Sequence, residues 1–257
     1  MMVEAEFMRR IARAAAAETL PRFRRLSAVE NKLASGFDPV TEADQEAERA
    51  IRALINAEFP DHGILGEEHG SENTGNSHVW VIDPIDGTRA FISGLPVWGT
   101  LVGLTVDGDA VAGVMSQPFT GELFYADGKG SHYEGPGGSR ALSVRKTTSL
   151  ADATMFTTTP SLFKGEMRKR YDELESKVQL ARYGTDCYAF AMVAAGQVDI
   201  VVDPGLKPYD IVALIPIIEQ AGGIVTTFDG GPAENGGDII AAATPELHKA
   251  AMAVLAG

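Results

Sequence analysis

Apolar residues between Phe7 and Leu20 fall at helical spacing, with Phe7, Ile11, Ala14 and Ala15 on one face and Pro21 closing the run, which predicts an amphipathic helix. A second helix is marked more sharply. Thr41 stands as N-cap with Asp44 three residues on, and Ala43, Ala47, Ala50, Ile51 and Leu54 follow on one face as far as Phe59-Pro60. Residues 31–40, between the two, read as loop. Past a further loop at 70–77 the pattern shortens to strands. Residues 79–82 form a buried apolar run, 98–106 and 110–115 flank the turn Asp107-Gly108-Asp109, and 122–126 extend the antiparallel meander. The first half is expected to pack helices on a largely antiparallel sheet.

Residues 128–140 are rich in glycine, and the pattern then changes. Strands at 154–158, 178–182 and 198–202 alternate with helices at 162–175 and 187–195, the α/β signature. Pro208 opens a helix that Gly222-Gly223 ends, strands follow at 224–227 and 239–242, and Thr244-Pro245-Glu246 begins a last helix to Leu255. The change places a boundary near residue 145. It divides an N-terminal α+β domain, 1–145, from a C-terminal α/β domain, 146–257.

The 257 residues carry 22 Lys and Arg against 35 Asp and Glu, a net charge of −13. That balance argues against nonspecific binding to nucleic acid or to an anionic membrane, both of which depend on basic patches. A phosphate can still bind if cations accompany it. The apolar stretch 211–225 is broken by Pro216, Glu219 and Gly222-Gly223 and falls short of the ~18–20 apolar residues that span a bilayer, so no membrane segment is expected. Residues 1–20 lack a secretory apolar core, and the single Cys187 excludes an intrachain disulfide, so a cytoplasmic location is expected. Phosphate-loop, dinucleotide, His-Glu-x-x-His and Gly-x-Ser-x-Gly motifs are absent, and the five histidines show no paired ligand spacing.

The chemistry concentrates in Asp83-Pro84-Ile85-Asp86-Gly87-Thr88, which leaves the strand at 79–82. Two carboxylates this close repel each other, and burial would raise their pKa values unless cations lie between them. Two hard divalent ions with oxygen ligands would solve this, with Asp83 bridging and the Ile85 carbonyl as a neutral ligand. Gly87-Thr88 then begins a turn or short helix whose N–H groups suit a phosphate. The plainer reading is a hydrophilic turn, since Asp, Pro and Gly are common turn residues. Two further acidic segments favour the metal reading: Gly66-Glu67-Glu68 after an apolar strand, and Lys207-Pro208-Tyr209-Asp210 at a helix start. Each alone would read as a solvated pair or a capping residue.

These segments, together with Asp38-Pro39-Val40-Thr41-Glu42-Ala43-Asp44, resemble in order the inositol monophosphatase family of magnesium-dependent phosphomonoesterases, across residues 30–225. The resemblance implies a layered αβαβα fold. It implies Glu67, Asp83 and the Ile85 carbonyl on a first Mg²⁺, Asp83, Asp86 and Asp210 on a second, and Glu67 near a weaker third. It further implies in-line attack on phosphorus by a metal-activated water, assisted by Thr88, Asp44 and Glu67, with the N–H groups of Gly87 and Thr88 on the phosphate. Asp44 retains a rival role as the capping partner of Thr41. A homodimer is the state the family implies.

The continuation Arg89-Ala90-Phe91, the run Trp98-Gly99-Thr100-Leu101, Asp186-Cys187-Tyr188 and Pro208-Tyr209-Asp210 resemble the histidinol-phosphate phosphatase branch. Histidinol phosphate carries an amine and an imidazole beside its phosphate, so Asp186 would suit it as a substrate contact, or would cap the helix that follows. Arg89 would contact phosphate or pair with a neighbouring acid. The expectation is a histidinol-phosphate phosphatase of histidine biosynthesis. The alternatives are an inositol-phosphate or broad sugar-phosphate phosphatase and, against the intact ligand set, a non-catalytic binding or accessory protein.

Overall fold

The computed structural model describes residues 3–25, 29–31 and 39–255. The first amphipathic segment is helix α1 (Ala5–Thr19), which buries Phe7, Met8, Ile11, Ala12 and Ala15. Of the loop expected at 31–40, residues 32–38 lie outside the described residues. At its edges β1 (Val29–Asn31) and β2 (Pro39–Thr41) pair as an antiparallel ribbon. Helix α2 (Glu42–Glu58) begins at the expected cap: Thr41 Oγ1 accepts from the Ala43 N–H, and Asp44 accepts from the Thr41 N–H at 2.8 Å.

Then follow β3 (Gly63–Gly66), β4 (Gly70–Glu72), β5 (His78–Asp86), the short helix α3 (Thr88–Ile92), β6 (Gly99–Val106), β7 (Asp109–Gln117), β8 (Glu122–Ala126), β9 (Ser131–Gly135) and β10 (Gly138–Ala141). They form one eight-stranded sheet, ordered β10-β9-β8-β7-β6-β5-β3-β4 and antiparallel except where β3 runs parallel to β5. Asp107 and Gly108 both take positive φ in the β6–β7 turn, the geometry a two-residue hairpin needs. In this sheet three features depart from the sequence reading. Strand β4 occupies part of the expected loop at 70–77, the glycine-rich segment folds as the β9–β10 hairpin, and β5 continues through Asp86 instead of ending at residue 82. Lacking large apolar side chains, β4 and β10 are wholly exposed edge strands, which hydrophobic periodicity cannot register.

The second sheet is built from β11 (Thr154–Thr157), β12 (Leu180–Tyr183), β13 (Ile200–Leu206), β14 (Ile224–Thr227) and β15 (Gly237–Ala242), ordered β12-β11-β13-β15-β14. Its first three strands are parallel and β15 is antiparallel to both neighbours. The helices are α4 (Gly165–Lys177), α5 (Asp186–Ala194), α6 (Pro208–Ile211), α7 (Leu214–Glu219) and α8 (Pro245–Leu255). The single helix expected from Pro208 is thus two, because Pro216 has no N–H to give the Val212 carbonyl one turn earlier.

Alternation along the strands sorts the layers. Val102 and Val114 face α1 and α2, whereas Leu101 and Met115 face α5 and α7. In the second sheet Val201, Ile239 and Ala241 join that same central core, while Ile200, Val202 and Ile240 face α4 and α8. The result is the layered αβαβα arrangement. Its inner joint is tight: Gly103 and Gly113 are cross-strand partners, and a Cβ at Gly113 would stand 2.1 Å from the Ala213 carbonyl oxygen between α6 and α7. Gly113→Val should therefore destabilise the protein by about 1–3 kcal/mol in urea unfolding; an unchanged midpoint would show that this seat is loose.

Candidate metal centre

Pro84 has no N–H for the ladder, and β5 bulges there: Asp83 pairs with Leu101 and Asp86 with Gly99, three residues' advance against two. The bulge is pinned by Thr100 Oγ1, which donates to the Pro84 carbonyl at 2.8 Å, and by the Ile85 N–H, which donates to Asp83 Oδ1 at 3.0 Å. Asp83 and Asp86 are thereby presented together. Asp210 arrives from α6, seated three residues before the Ala213 contact, and one oxygen from each of the three carboxylates lies within 4.8 Å of the others.

Glu67 follows β3, its N–H donating to the Ile82 carbonyl at 3.1 Å, and hydrogen-bonds the Asp83 carboxyl. It stands beside the trio of Asp83, Asp86 and Asp210. Asp44 divides its oxygens: Oδ2 accepts from the Thr41 N–H and hydroxyl, while Oδ1 lies 3.5 Å from Thr88 Oγ1. The Thr88 hydroxyl also donates to the Ile85 carbonyl at 3.1 Å, which leaves that oxygen a second lone pair. Both expected roles of Asp44 are thus compatible. Asp210 repeats the device at α6, accepting from the Lys207 N–H at 2.7 Å.

Gly87 takes φ +83 as N-cap of α3, and a Cβ there would meet Asp186 Oδ2 at 2.9 Å. Only glycine fits both demands. Asp186 does not cap α5. Thr185 holds the N-cap position, Asp186 is the first helical residue with φ +42, and no side chain caps the helix. The Cys187 N–H instead donates to Asp86 Oδ2 at 2.6 Å, tying α5 to β5. Arg89 is exposed on α3, and its charge partly offsets the burial of Asp186.

Electrostatics mark the cluster. Burial, then the charges of Glu67, Asp86 and Asp210, push the Asp83 carboxyl well above its ordinary range; burial, then Asp186 and Asp210, do the same to Asp86. Burial raises Asp210 to about 7 and Asp44 to about 6. Sequence reasoning missed Asp203 of β13, a buried carboxylate that accepts from Thr157 Oγ1 and from the Thr158 N–H and hydroxyl. It also missed Glu48 of α2, fully buried beside this site. A carboxylate among Ala43, Ala47 and Ile51 on the apolar face of α2 was the available signal for Glu48.

Comparison with known proteins agrees with this fold. The model of the inositol monophosphatase family matches residues 3–256, and the chain belongs to that family. It is 43% identical over 197 residues to the bifunctional phosphatase IMPL2, chloroplastic, of Arabidopsis thaliana, covering 76% of this chain and 56% of that protein. The chain thus spans little more than half of that relative. It is 39% identical over 193 residues to a histidinol-phosphatase of Chlorobaculum parvum, covering 75% and 73% of the two chains. Among solved structures, an inositol monophosphatase from Zymomonas mobilis superposes with a TM-score of 0.87 at 35% identity, over 98% of this chain and 97% of that one.

Carboxyls raised by burial hold protons in the folded, metal-free state that the unfolded chain releases. Their stabilising contribution is complete below about pH 4 and is lost as pH rises through about 6 and 7, the values of Asp44 and Asp210. Thermal unfolding of chelator-treated protein should accordingly show a lower Tm at about pH 8 than at about pH 5, restored by Mg²⁺, and Asp83→Asn should flatten the difference. A Tm in Asp83→Asn that falls as steeply as in the wild type would place the repulsion elsewhere.

Proposed function

We propose that this chain is a Mg²⁺-dependent phosphomonoesterase that hydrolyses L-histidinol phosphate to L-histidinol and phosphate, a step of histidine biosynthesis. The reading is carried by a carboxylate, Asp186, held against Gly87 at the edge of a trio of carboxylates in which Asp83 is buried and Asp86 and Asp210 are half-buried. The trio fits a hard divalent cation. Its donors are all oxygen, they converge from separate segments, and their like charges destabilise one another until a cation neutralises them. In this reading Asp83, Asp86 and Asp210, with Glu67 and the Ile85 carbonyl, hold two to three Mg²⁺, which supply Lewis-acid stabilisation of the phosphoryl oxygens and a lowered water pKa.

The remaining work falls to side chains and backbone. Thr88 directs its hydroxyl between the Ile85 carbonyl and Asp44 Oδ1, so a proton leaving the attacking water can pass through that hydroxyl to Asp44. The N–H groups of Gly87 and Thr88, at the start of α3, hold the phosphate. Arg89 adds positive charge at the exposed rim. Asp186 pairs with the ammonium or imidazolium of the substrate, a partner the uncharged inositol ring cannot offer. In this scheme the residues before 145 carry most of the centre, those after it bring Asp210 and Asp186, and the enzyme works as a cytoplasmic homodimer.

The name of the Chlorobaculum relative supports histidinol phosphate, and that of the Zymomonas structure favours a second reading, inositol 1-phosphate. Phosphate release from both esters by one metal-free preparation, before and after Mg²⁺ is added, separates them. Activity should appear only with Mg²⁺, with histidinol phosphate preferred. In Asp186→Asn, kcat/KM for histidinol phosphate should fall about tenfold or more while that for inositol 1-phosphate changes little. Equal losses on both esters would remove Asp186 from substrate selection, and preference for inositol 1-phosphate would install the second reading. Sedimentation at about twice the 27.3 kDa chain mass checks the dimer.

A further inference from the structure

Glu48 and Arg52 lie one turn apart on α2, and Glu48 is 0% exposed. A buried carboxylate is costly unless its oxygens are fully engaged. Glu48 Oε2 accepts from the Glu68 N–H at 2.7 Å, and Oε1 accepts from the His69 N–H at 3.2 Å and from Arg52 Nε at 2.7 Å. Arg52 in turn donates to the Gly70 carbonyl and stands 3.6 Å from Glu72. On the same segment the His69 ring bonds the Gln45 carbonyl at 3.0 Å. The turn that carries Glu67 is therefore gripped by α2 along its length. Gly66, the residue before Glu67, has no room for a side chain, because a Cβ would stand 1.9 Å from Glu48 Oε1. Asp44, one turn before Glu48, is also 0% exposed, and its Oδ1 lies 3.5 Å from Thr88 Oγ1.

We propose that the Glu48–Arg52 pair is a positioning device that fixes Glu67 against Asp83 and so sets the affinity of the centre for Mg²⁺. Helix α2 then serves as one rigid ruler, with Asp44 placing the Thr88 side of the site and Glu48 the Glu67 side. The inference rests on the reading of Glu67 as a ligand given above. Glu48 itself touches neither substrate nor metal. It acts by ordering two backbone N–H groups, in the way outer partners of metal ligands generally do.

The test is calorimetric titration of Mg²⁺ into the full-length, metal-free wild type, Glu48→Gln, Glu48→Ala and Gly66→Ala, with fold checked by far-ultraviolet circular dichroism. The Kd for Mg²⁺ should rise about tenfold in Glu48→Gln and Gly66→Ala, and further in Glu48→Ala, with the Mg²⁺ needed for half-maximal phosphate release rising in step. An unchanged Kd in any of these variants that remains folded overturns the device while leaving the proposed function standing. A wild type that takes up no Mg²⁺ overturns both. One readout needs no variant. The Glu68 and His69 amides of the metal-free wild type should exchange slowly with solvent, and exchange at the rate of an open loop would also overturn the proposal.

Discussion

Carboxylates that share a buried site push each other apart, and the rest of this fold is arranged to hold them together. Asp83, Asp86 and Asp210 meet within 4.8 Å, with Glu67 hydrogen-bonded to Asp83 and Asp186 near Asp86. No single segment could impose that arrangement. A bulged strand places the first two, the turn after β3 places Glu67, and α6 brings Asp210 across from the far half of the chain. Each is fixed by contacts outside the cluster of carboxylates. Thr100 holds the Pro84 carbonyl, Lys207 donates its N–H to Asp210, and the Gly103–Gly113 pair admits the α6–α7 backbone.

A recurring economy is the acid at the third position of a helix. Asp44 in α2 and Asp210 in α6 each use one oxygen to satisfy the N–H of the residue before the helix, a bond worth about 1 kcal/mol to the helix end. The remaining oxygen is turned to the site. The cap restricts the side chain's rotamer, so the group that faces the chemistry is ordered in advance without a dedicated partner. Capping and the proposed role in the site are not rival explanations for either residue. They are the two ends of one carboxylate.

The central core joins what chain order separates. Leu101, Met115 and Phe124 of the first sheet pack in one cluster with Phe190 and Ile217 of the helices and with Val201 and Ile239 of the second sheet. Because both sheets are covered on both faces, the middle helices have apolar neighbours above and below, and α5 and α6 can deliver Asp186 and Asp210 to the mouth of β5 with little freedom to move. Cys187, whose N–H ties α5 to Asp86, is itself buried in that cluster.

The sequence by itself determined what is local or periodic. The amphipathic faces of α1 and α2, the cap at Thr41 and Asp44, the Asp107-Gly108 turn and the acidic run at Asp83–Asp86 were all legible, because each depends on spacings of two to four residues. Tertiary structure decided the rest. The exposed strands β4 and β10 carry no apolar alternation, and the seat of the α6–α7 backbone against Gly103 and Gly113 joins segments far apart in the chain. Whether Asp186 capped a helix or entered the site depended on the positive φ it takes beside Gly87. Glu48 is the clearest instance. On a helical wheel it is one charge on an apolar face, and its purpose appears only when a turn twenty residues on folds back to give it two N–H groups. A sequence records which groups can bond, but only the packed chain sets which are withdrawn from water and must find their partners inside.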